Sequence, residues 1–125
     1  MSYGTTFVNL VMVEKFRTVE AYKNYFADFM ARLSLPVKKK VYWTLNLIET
    51  VPRVSVKYLK KLEGTDGLFE IRIEFGGDIF RVFCFFDEGK LIILLNGFAK
   101  KTQKAPKREI ERSLRLREQY YEEKS

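Results

Sequence analysis

The sequence predicts an α+β fold, in which a first strand and a helical hairpin precede a three-stranded antiparallel meander and a last helix. In the first half of the chain and near its end, apolar residues recur every three or four positions, which is typical of amphipathic helices. Between these regions, apolar and polar residues alternate or run continuously between glycine turns, which is typical of strands. The first strand and the meander are expected to form a four-stranded sheet. With 125 residues, 46% of them hydrophobic and 31% charged, we expect one globular domain over residues 1–125.

The first half of the chain is predicted to contain a strand and two helices. Phe7–Val13 is short and rich in apolar and β-branched residues, which favours a strand. Thr18 is expected to cap the first helix. The apolar face of that helix comprises Val19, Tyr22, Phe26, Met30 and Leu33. Pro36 either ends the first helix or lies in the first turn of the second helix, which ends before Pro52. Its apolar face comprises Val37, Val41, Thr44, Leu45 and Ile48.

The second half is predicted to form the meander and the last helix. Phe69–Phe75 alternates apolar and polar residues, and Gly76-Gly77 is a two-residue hairpin turn. Ile79–Phe86 follows as the second strand, and Leu91–Leu95 is a continuous apolar run typical of a central strand. The last helix is expected near Lys107–Glu122. Its apolar stripe, formed by Ile110, Leu114 and Tyr121, is thin.

Composition excludes several kinds of site. The chain has no histidine and one cysteine, so Ser-His-Asp and Cys-His catalysis, a Cys₂His₂ zinc site and an internal disulfide are all impossible. No carboxylate cluster has the spacing of metal ligands, and we expect neither a metal nor another cofactor. There is no apolar run long enough to cross a membrane and no secretory signal pattern, so we expect a cytoplasmic protein without a membrane partner.

The charge distribution favours a polyanionic partner. The formal net charge is +7, and the stretch Lys100–Arg108 holds five basic residues and no acidic one. Such a cluster favours nucleic acid, although a merely solvated basic surface has the same composition. We expect Lys107 and Arg108, at the start of the last helix, to contribute to binding RNA.

The Gly76-Gly77 turn predicts a pairing of two arginines. If Phe75 pairs with Asp78 across the turn, Arg72 lies directly opposite Arg81. Like charges in that arrangement destabilise a sheet, whereas two guanidinium groups that converge on one spot suit a phosphate. Two glutamates on the same face, Glu70 and Glu74, offer the alternative that both arginines are neutralised in a surface network.

The end of the third strand of the meander is expected to add polar residues to the same face. With an even register at the turn over residues 87–90, Asn96 lies opposite Arg81, whereas a bulged loop would place Leu95 there. Beyond Phe98, the chain would bring further cations beside the arginines. These are Lys100, Lys101 and Lys104.

The stretch from Leu62 to Arg108 resembles the RelE/ParE superfamily of type II toxins, in particular its phage-derived, HigB-like branch. The resemblance rests on a strand with the pattern Leu-aromatic-Glu-x-Arg, a strand with aromatic-Arg-x-aromatic, and an apolar strand that ends near Gly-Phe. A segment Lys-Lys-Thr-x-Lys-x-Pro and a helix follow in the same order. Asn96 stands where this branch often has histidine, and Glu70 where some relatives have lysine.

The resemblance implies a toxin that is neutralised by a separate helix-turn-helix antitoxin and that cleaves mRNA on the ribosome without a metal. On this hypothesis Arg72 and Arg81 hold the scissile phosphate and stabilise its charge. Lys101 and Lys104 are the candidates for proton transfer, Lys100 is a weaker match, and Glu70 is an alternative base. Two other functions stay open, namely poisoning of DNA gyrase and RNA binding without catalysis.

Overall fold

A computed structural model describes residues 14–100 and 106–125 of the chain. These residues form five strands and three helices. In chain order they are β1 (Thr18–Ala21), α1 (Tyr25–Ala31), α2 (Leu35–Thr50), β2 (Leu59–Lys61), β3 (Leu68–Phe75), β4 (Asp78–Phe86), β5 (Leu91–Lys100) and α3 (Lys107–Lys124). The predicted α+β class is confirmed, and so are the meander β3–β5 and the last helix.

The sheet differs from the predicted four-stranded one. Its order is β1-β5-β4-β3-β2, and β1 runs parallel to β5 whereas the other pairs are antiparallel. The described residues therefore form a five-stranded mixed sheet. The strand β2 was not predicted, because three residues carry no readable alternation. The strand predicted at Phe7–Val13 lies outside the described residues.

The prediction that Thr18 caps a helix is wrong, because Thr18–Ala21 forms strand β1. The backbone N–H of Thr18 donates to Lys90 O at 3.0 Å, and that of Tyr22 donates to Leu94 O at 3.0 Å. Lys23 then adopts a positive φ of 53°, and α1 begins only at Tyr25. Pairing with β5 thus overrides a spacing of apolar residues that suited a helix.

The two predicted helices of the hairpin, α1 and α2, cover one face of the sheet. The helix α2 has Pro36 in its first turn, as expected, and buries four residues of its predicted apolar face, namely Val37, Val41, Thr44 and Ile48. They pack against the strand residues Ile71, Ile73, Phe80, Val82 and Cys84, which were predicted to share this face. Gly97 of β5 lies so close to α1 that an added Cβ would stand 2.6 Å from the Phe29 ring.

The helix α3 covers part of the opposite face, over a second apolar cluster. This cluster comprises Tyr22, Leu68, Phe85, Ile93, Leu95 and Leu116. Near its N-terminal end, α3 is bound through Ser113, whose Oγ donates to Oδ1 of the buried Asn96 at 2.6 Å. At its C-terminal end, Lys124 Nζ lies 2.6 Å from Asp87 Oδ2, which also accepts a hydrogen bond from the Tyr120 hydroxyl at 2.7 Å.

Candidate nucleic-acid interface

The β3–β4 ladder has the register predicted from its turn. Gly76 and Gly77 adopt positive φ values of 60° and 85°, which glycine tolerates without strain. Phe75 pairs with Asp78, and Arg72 lies directly opposite Arg81. The two-residue turn therefore brings both arginines to the same level of the sheet.

Arg81 is enclosed in an ion pair. Its Nη1 donates to both carboxylate oxygens of Glu70, at 2.7 and 2.8 Å, and the two side chains are only 3% and 2% exposed. Arg81 was expected to be an open phosphate ligand and Glu70 a possible base, but in this conformation neither side chain reaches solvent. A buried charge requires such a partner, since desolvation of a lone guanidinium is costly.

Arg72 is the member of the arginine pair that reaches the surface. Its Nε lies 3.1 Å from Glu74 Oε1, and the Glu74 side chain is 54% exposed. Both arginines are thus paired with glutamates, which is the alternative considered from the sequence. The Arg72–Glu74 ion pair is partly exposed, with Arg72 20% exposed, and it contributes little to stability because solvent screens it.

A surface pocket of about 200 Å³ adjoins Arg72. It is lined by Lys40, Lys57, Tyr58, Arg72 and Glu74. The side chains that line the pocket come from α2, from the segment before β2 and from β3. Its three cations are therefore far apart in the sequence. None of Lys40, Lys57 and Tyr58 was among the site residues predicted from the sequence.

Asn96 does not occupy the predicted position. Val82 pairs with Gly97 and Cys84 with Leu94, so β5 has one extra residue in this stretch and Phe98 lies opposite Arg81. Asn96 is 1% exposed, and its Nδ2 donates to Glu109 Oε1 at 2.9 Å. The bulge therefore turns Asn96 towards α3, which it binds, and the prediction that Asn96 lies opposite Arg81 is wrong. Its role in binding RNA stays a prediction.

The remaining predicted cations are only partly within the described residues. Lys107 and Arg108 are exposed in the first turn of α3. Lys101 and Lys104 lie outside the described residues, and so does the side chain of Lys100. Their predicted roles therefore stay predictions.

Two titratable groups near the ladder have shifted pKa values. Burial raises the pKa of the Cys84 thiol far above its usual range, and the charge of Glu70 raises it further. The hydrogen bond from Lys124 lowers the pKa of Asp87, with a smaller contribution from Tyr120. Neither shift prepares a group for proton transfer at the Arg72 pocket. Within residues 14–100 and 106–125, no cluster of three His, Cys, Asp or Glu side chains could hold a metal ion.

Comparison with known families identifies the chain at the level of a family. A family model described as phage-derived protein Gp49-like (DUF891) matches residues 28–118, which is more than half of the chain. The chain belongs to the Gp49-like family. No curated protein matches it.

The Gp49-like family is a RelE/ParE-like toxin family of type II toxin–antitoxin systems, which agrees with the resemblance found in the sequence. The matched region contains α2, β2 to β5 and most of α3, and hence Arg72, Arg81 and the pocket beside Arg72. Family membership indicates an antitoxin as partner. None of the described helices is long and apolar enough to span a bilayer.

Proposed function

We propose that this Gp49-like protein is the toxin of a type II toxin–antitoxin system, of the HigB-like branch, and that it inhibits translation in the cytoplasm by cleaving mRNA on the ribosome. The observation that carries the proposal is the position of Arg72. This guanidinium shares a surface pocket with Lys40 and Lys57, so three cations surround a space of about 200 Å³. Three convergent cations favour a phosphate group of a polyanion.

The proposed reaction is attack of an RNA 2′-hydroxyl on the adjacent phosphate. The bond from O2′ to phosphorus forms and the bond from phosphorus to O5′ breaks, which leaves a 2′,3′-cyclic phosphate and a 5′-hydroxyl. The attacking hydroxyl loses a proton and the leaving oxygen gains one. Arg72 binds the phosphate and stabilises the negative charge that develops on its oxygens, which makes it the catalytic residue among the described ones.

The two proton transfers are assigned to lysines of the segment that follows β5. Lys101 and Lys104 are proposed as acid and base, because a lysine beside other cations has a lowered pKa and no histidine is present. Glu70 is not assigned this role, since its carboxylate is buried against Arg81. Lys100, Lys107 and Arg108 are proposed to bind flanking phosphates.

Arg81 is proposed as a positioning residue. Its buried ion pair with Glu70 joins β3 to β4 next to Arg72. The pair therefore holds the strand from which Arg72 projects, and Arg81 acts on the phosphate through that strand. A role in direct contact with RNA would require the ion pair to open.

The partners proposed are the ribosome with its mRNA and a helix-turn-helix antitoxin. The ribosome would orient the message, which lowers the entropic cost of a reactive geometry. The antitoxin would neutralise the toxin by covering basic surface with an acidic segment.

The test is induced expression followed by mapping of mRNA 5′ ends. We expect growth arrest and new mRNA ends with the wild type, and a reduction in cleavage on the order of 10²-fold with Arg72→Ala. Lys90→Ala is the matched control, because Lys90 is an exposed cation in the turn between β4 and β5, away from the pocket. Double-strand DNA breaks without mRNA ends would instead indicate gyrase poisoning, and absence of arrest would indicate a protein that binds RNA without cleaving it.

A further inference from the structure

Tyr58, which lines the pocket beside Arg72, packs against a second aromatic ring. Trp43 of α2 is 47% exposed, and its ring meets the half-buried Tyr58 edge to face, with centroids 5.7 Å apart and planes at 69°. The carbonyl of Tyr58 accepts the backbone N–H of Arg72 at 3.0 Å. The aromatic pair is therefore held at a fixed position relative to Arg72, although one of its rings is open to solvent.

Cations accompany both rings. Lys40 Nζ lies 5.0 Å from the centroid of the Trp43 ring, and Lys57 Nζ lies 5.6 Å from that of Tyr58. On the neighbouring strand β2, Lys60 and Lys61 are exposed. This edge of the sheet therefore combines aromatic rings with a row of positive charge.

Folding alone does not account for this arrangement. Lys38 lies in the first turn of α2, where the helix dipole disfavours cations, Lys39 and Lys40 follow it directly, and no acidic residue is present in that turn. An exposed tryptophan likewise contributes less to stability than a buried one. Both features are explained if a ligand contacts them.

The chemistry of the pocket selects a nucleotide over an acidic peptide. A peptide carboxylate would use the cations but not the aromatic faces. An unpaired nucleotide uses both, because its phosphate binds the cations while its base stacks on an aromatic ring. The carboxylate of Glu74, which lines the pocket, can accept a hydrogen bond from the N–H groups of a base.

We infer that Trp43 and Tyr58, with Lys40 and Lys57, form a stacking subsite for an unpaired base of single-stranded RNA, next to the phosphate bound by Arg72. The inference rests on the proposed function in taking RNA as the ligand. It adds a contact on α2 that determines specificity, separate from Arg72, Arg81 and the lysines that follow β5. It also requires that the mRNA be single-stranded where it crosses this edge of the sheet.

The single tryptophan of the chain makes the subsite directly measurable. The probe is a hexamer of 2′-O-methyl uridylate, which cannot undergo attack by its own 2′-hydroxyl. We expect this RNA to quench Trp43 fluorescence to saturation. An abasic hexamer with the same backbone is expected to bind about tenfold more weakly, which is the usual contribution of one stacked base.

Substitutions separate stacking from charge. Binding of a labelled hexamer is expected to weaken about tenfold in Trp43→Leu and to stay within about twofold of wild type in Trp43→Phe, which keeps an aromatic face. Tyr42→Leu is the matched control, since Tyr42 is a 59% exposed aromatic residue of the same helix that lines a different pocket. Its affinity should equal that of the wild type.

Three results would overturn the inference: equal affinity of Trp43→Leu and wild type, equal affinity of the abasic and complete hexamers, or quenching by a hexaglutamate peptide as strong as that by RNA. Mapping of mRNA ends keeps this test apart from that of the proposed function. Base-dependent quenching without cleavage in cells contradicts the nuclease proposal alone, whereas cleavage without quenching contradicts the stacking subsite alone.

Discussion

Arg72 lies directly opposite Arg81 across the β3–β4 ladder, yet the two guanidinium groups are bound by different glutamates and have different access to solvent. Arg81 is buried with Glu70, and Arg72 reaches a surface pocket beside the exposed Glu74. The repulsion expected between two like charges is offset by two carboxylates on the same strand. The pair is therefore divided into one arginine that stabilises the sheet and one that is accessible to a ligand.

The buried ion pair predicts a large effect of truncating one partner. We expect Arg81→Ala to lower the free energy of unfolding by about 3–5 kcal/mol, because the charge of Glu70 is left buried without its partner. In the double variant Glu70→Leu/Arg81→Met, two apolar side chains replace the pair, and most of that stability should return. Urea unfolding of the three proteins measures the effect, and an Arg81→Ala protein as stable as the wild type would show that the pair is not closed in solution.

The same double variant tests the positioning role of Arg81. If Arg81 acts only by holding β3 and β4 together, the folded double variant retains mRNA cleavage in the end-mapping assay. Complete loss of cleavage in a variant of wild-type stability would instead place the Arg81 guanidinium in contact with the phosphate.

The contacts of Asp87 with α3 are expected to weaken in acid. The hydrogen bond from Lys124 is the main reason why the pKa of Asp87 is lowered in the folded protein. Asp87 therefore contributes its full stabilisation above its unfolded pKa of 3.8, and this stabilisation is lost as the pH falls through its lower, folded pKa. The Asp87→Asn variant lacks this pH-dependent contribution to stability. Thermal unfolding of both proteins between pH 7 and pH 2 should show a difference in midpoint that shrinks below about pH 4, and a difference independent of pH would contradict the assignment.

The close approach of β5 to α1 at Gly97 leaves no room for a side chain at this position. A methyl group at this position would stand 2.6 Å from the Phe29 ring, so we expect Gly97→Ala to lower the free energy of unfolding by about 1–3 kcal/mol. In a Phe29→Leu background the aromatic ring is absent, and the same substitution should cost less. The interaction term of this double-mutant cycle measures the contact, and an interaction term of zero would show that the strand moves away instead.

Cys84 predicts resistance to thiol reagents. The side chain is fully buried on the face of the sheet that α1 and α2 cover, and burial together with the charge of Glu70 raises the pKa of its thiol. Thiolate is the reactive form, so the native protein should not react with Ellman's reagent at pH 8. Reaction should appear only in urea, with a midpoint that coincides with unfolding measured by fluorescence.

Local signals in the sequence predicted the parts of the fold that local geometry determines. A two-residue glycine turn admits few pairings, so the register that places Arg72 opposite Arg81 could be worked out from the residues around Gly76. The helix α2 was likewise predicted within two residues of its ends, because a proline and a long apolar periodicity mark it. Strand β1 depends on pairing with β5, more than 70 residues away, and its apolar spacing equally suits a helix.

The site was harder to predict than the fold, because its residues depend on packing between elements. The extra residue in β5 moves Asn96 from the arginines to α3, and no local signal marks that bulge. Arg81 is paired with Phe98 across the β4–β5 ladder, and the Phe98 ring packs against that of Phe83 with centroids 5.1 Å apart, an arrangement that only the folded sheet produces. Lys40 and Lys57 line the same pocket only because α2 packs beside the edge of the sheet.

Two of the attachments of α3, one towards each end of the helix, differ in chemistry, and this difference determines which end should detach first. Near its N-terminal end, the hydrogen bond between Ser113 and the buried Asn96 is neutral, whereas at its C-terminal end the bond between Lys124 and Asp87 is ionic, with Lys124 41% exposed. Of these two attachments, the exposed ionic one is the more strongly screened by dissolved ions. Rising ionic strength should therefore fray α3 from its C-terminus while its first turns remain in place, and the helix would uncover the sheet progressively from the Asp87 end.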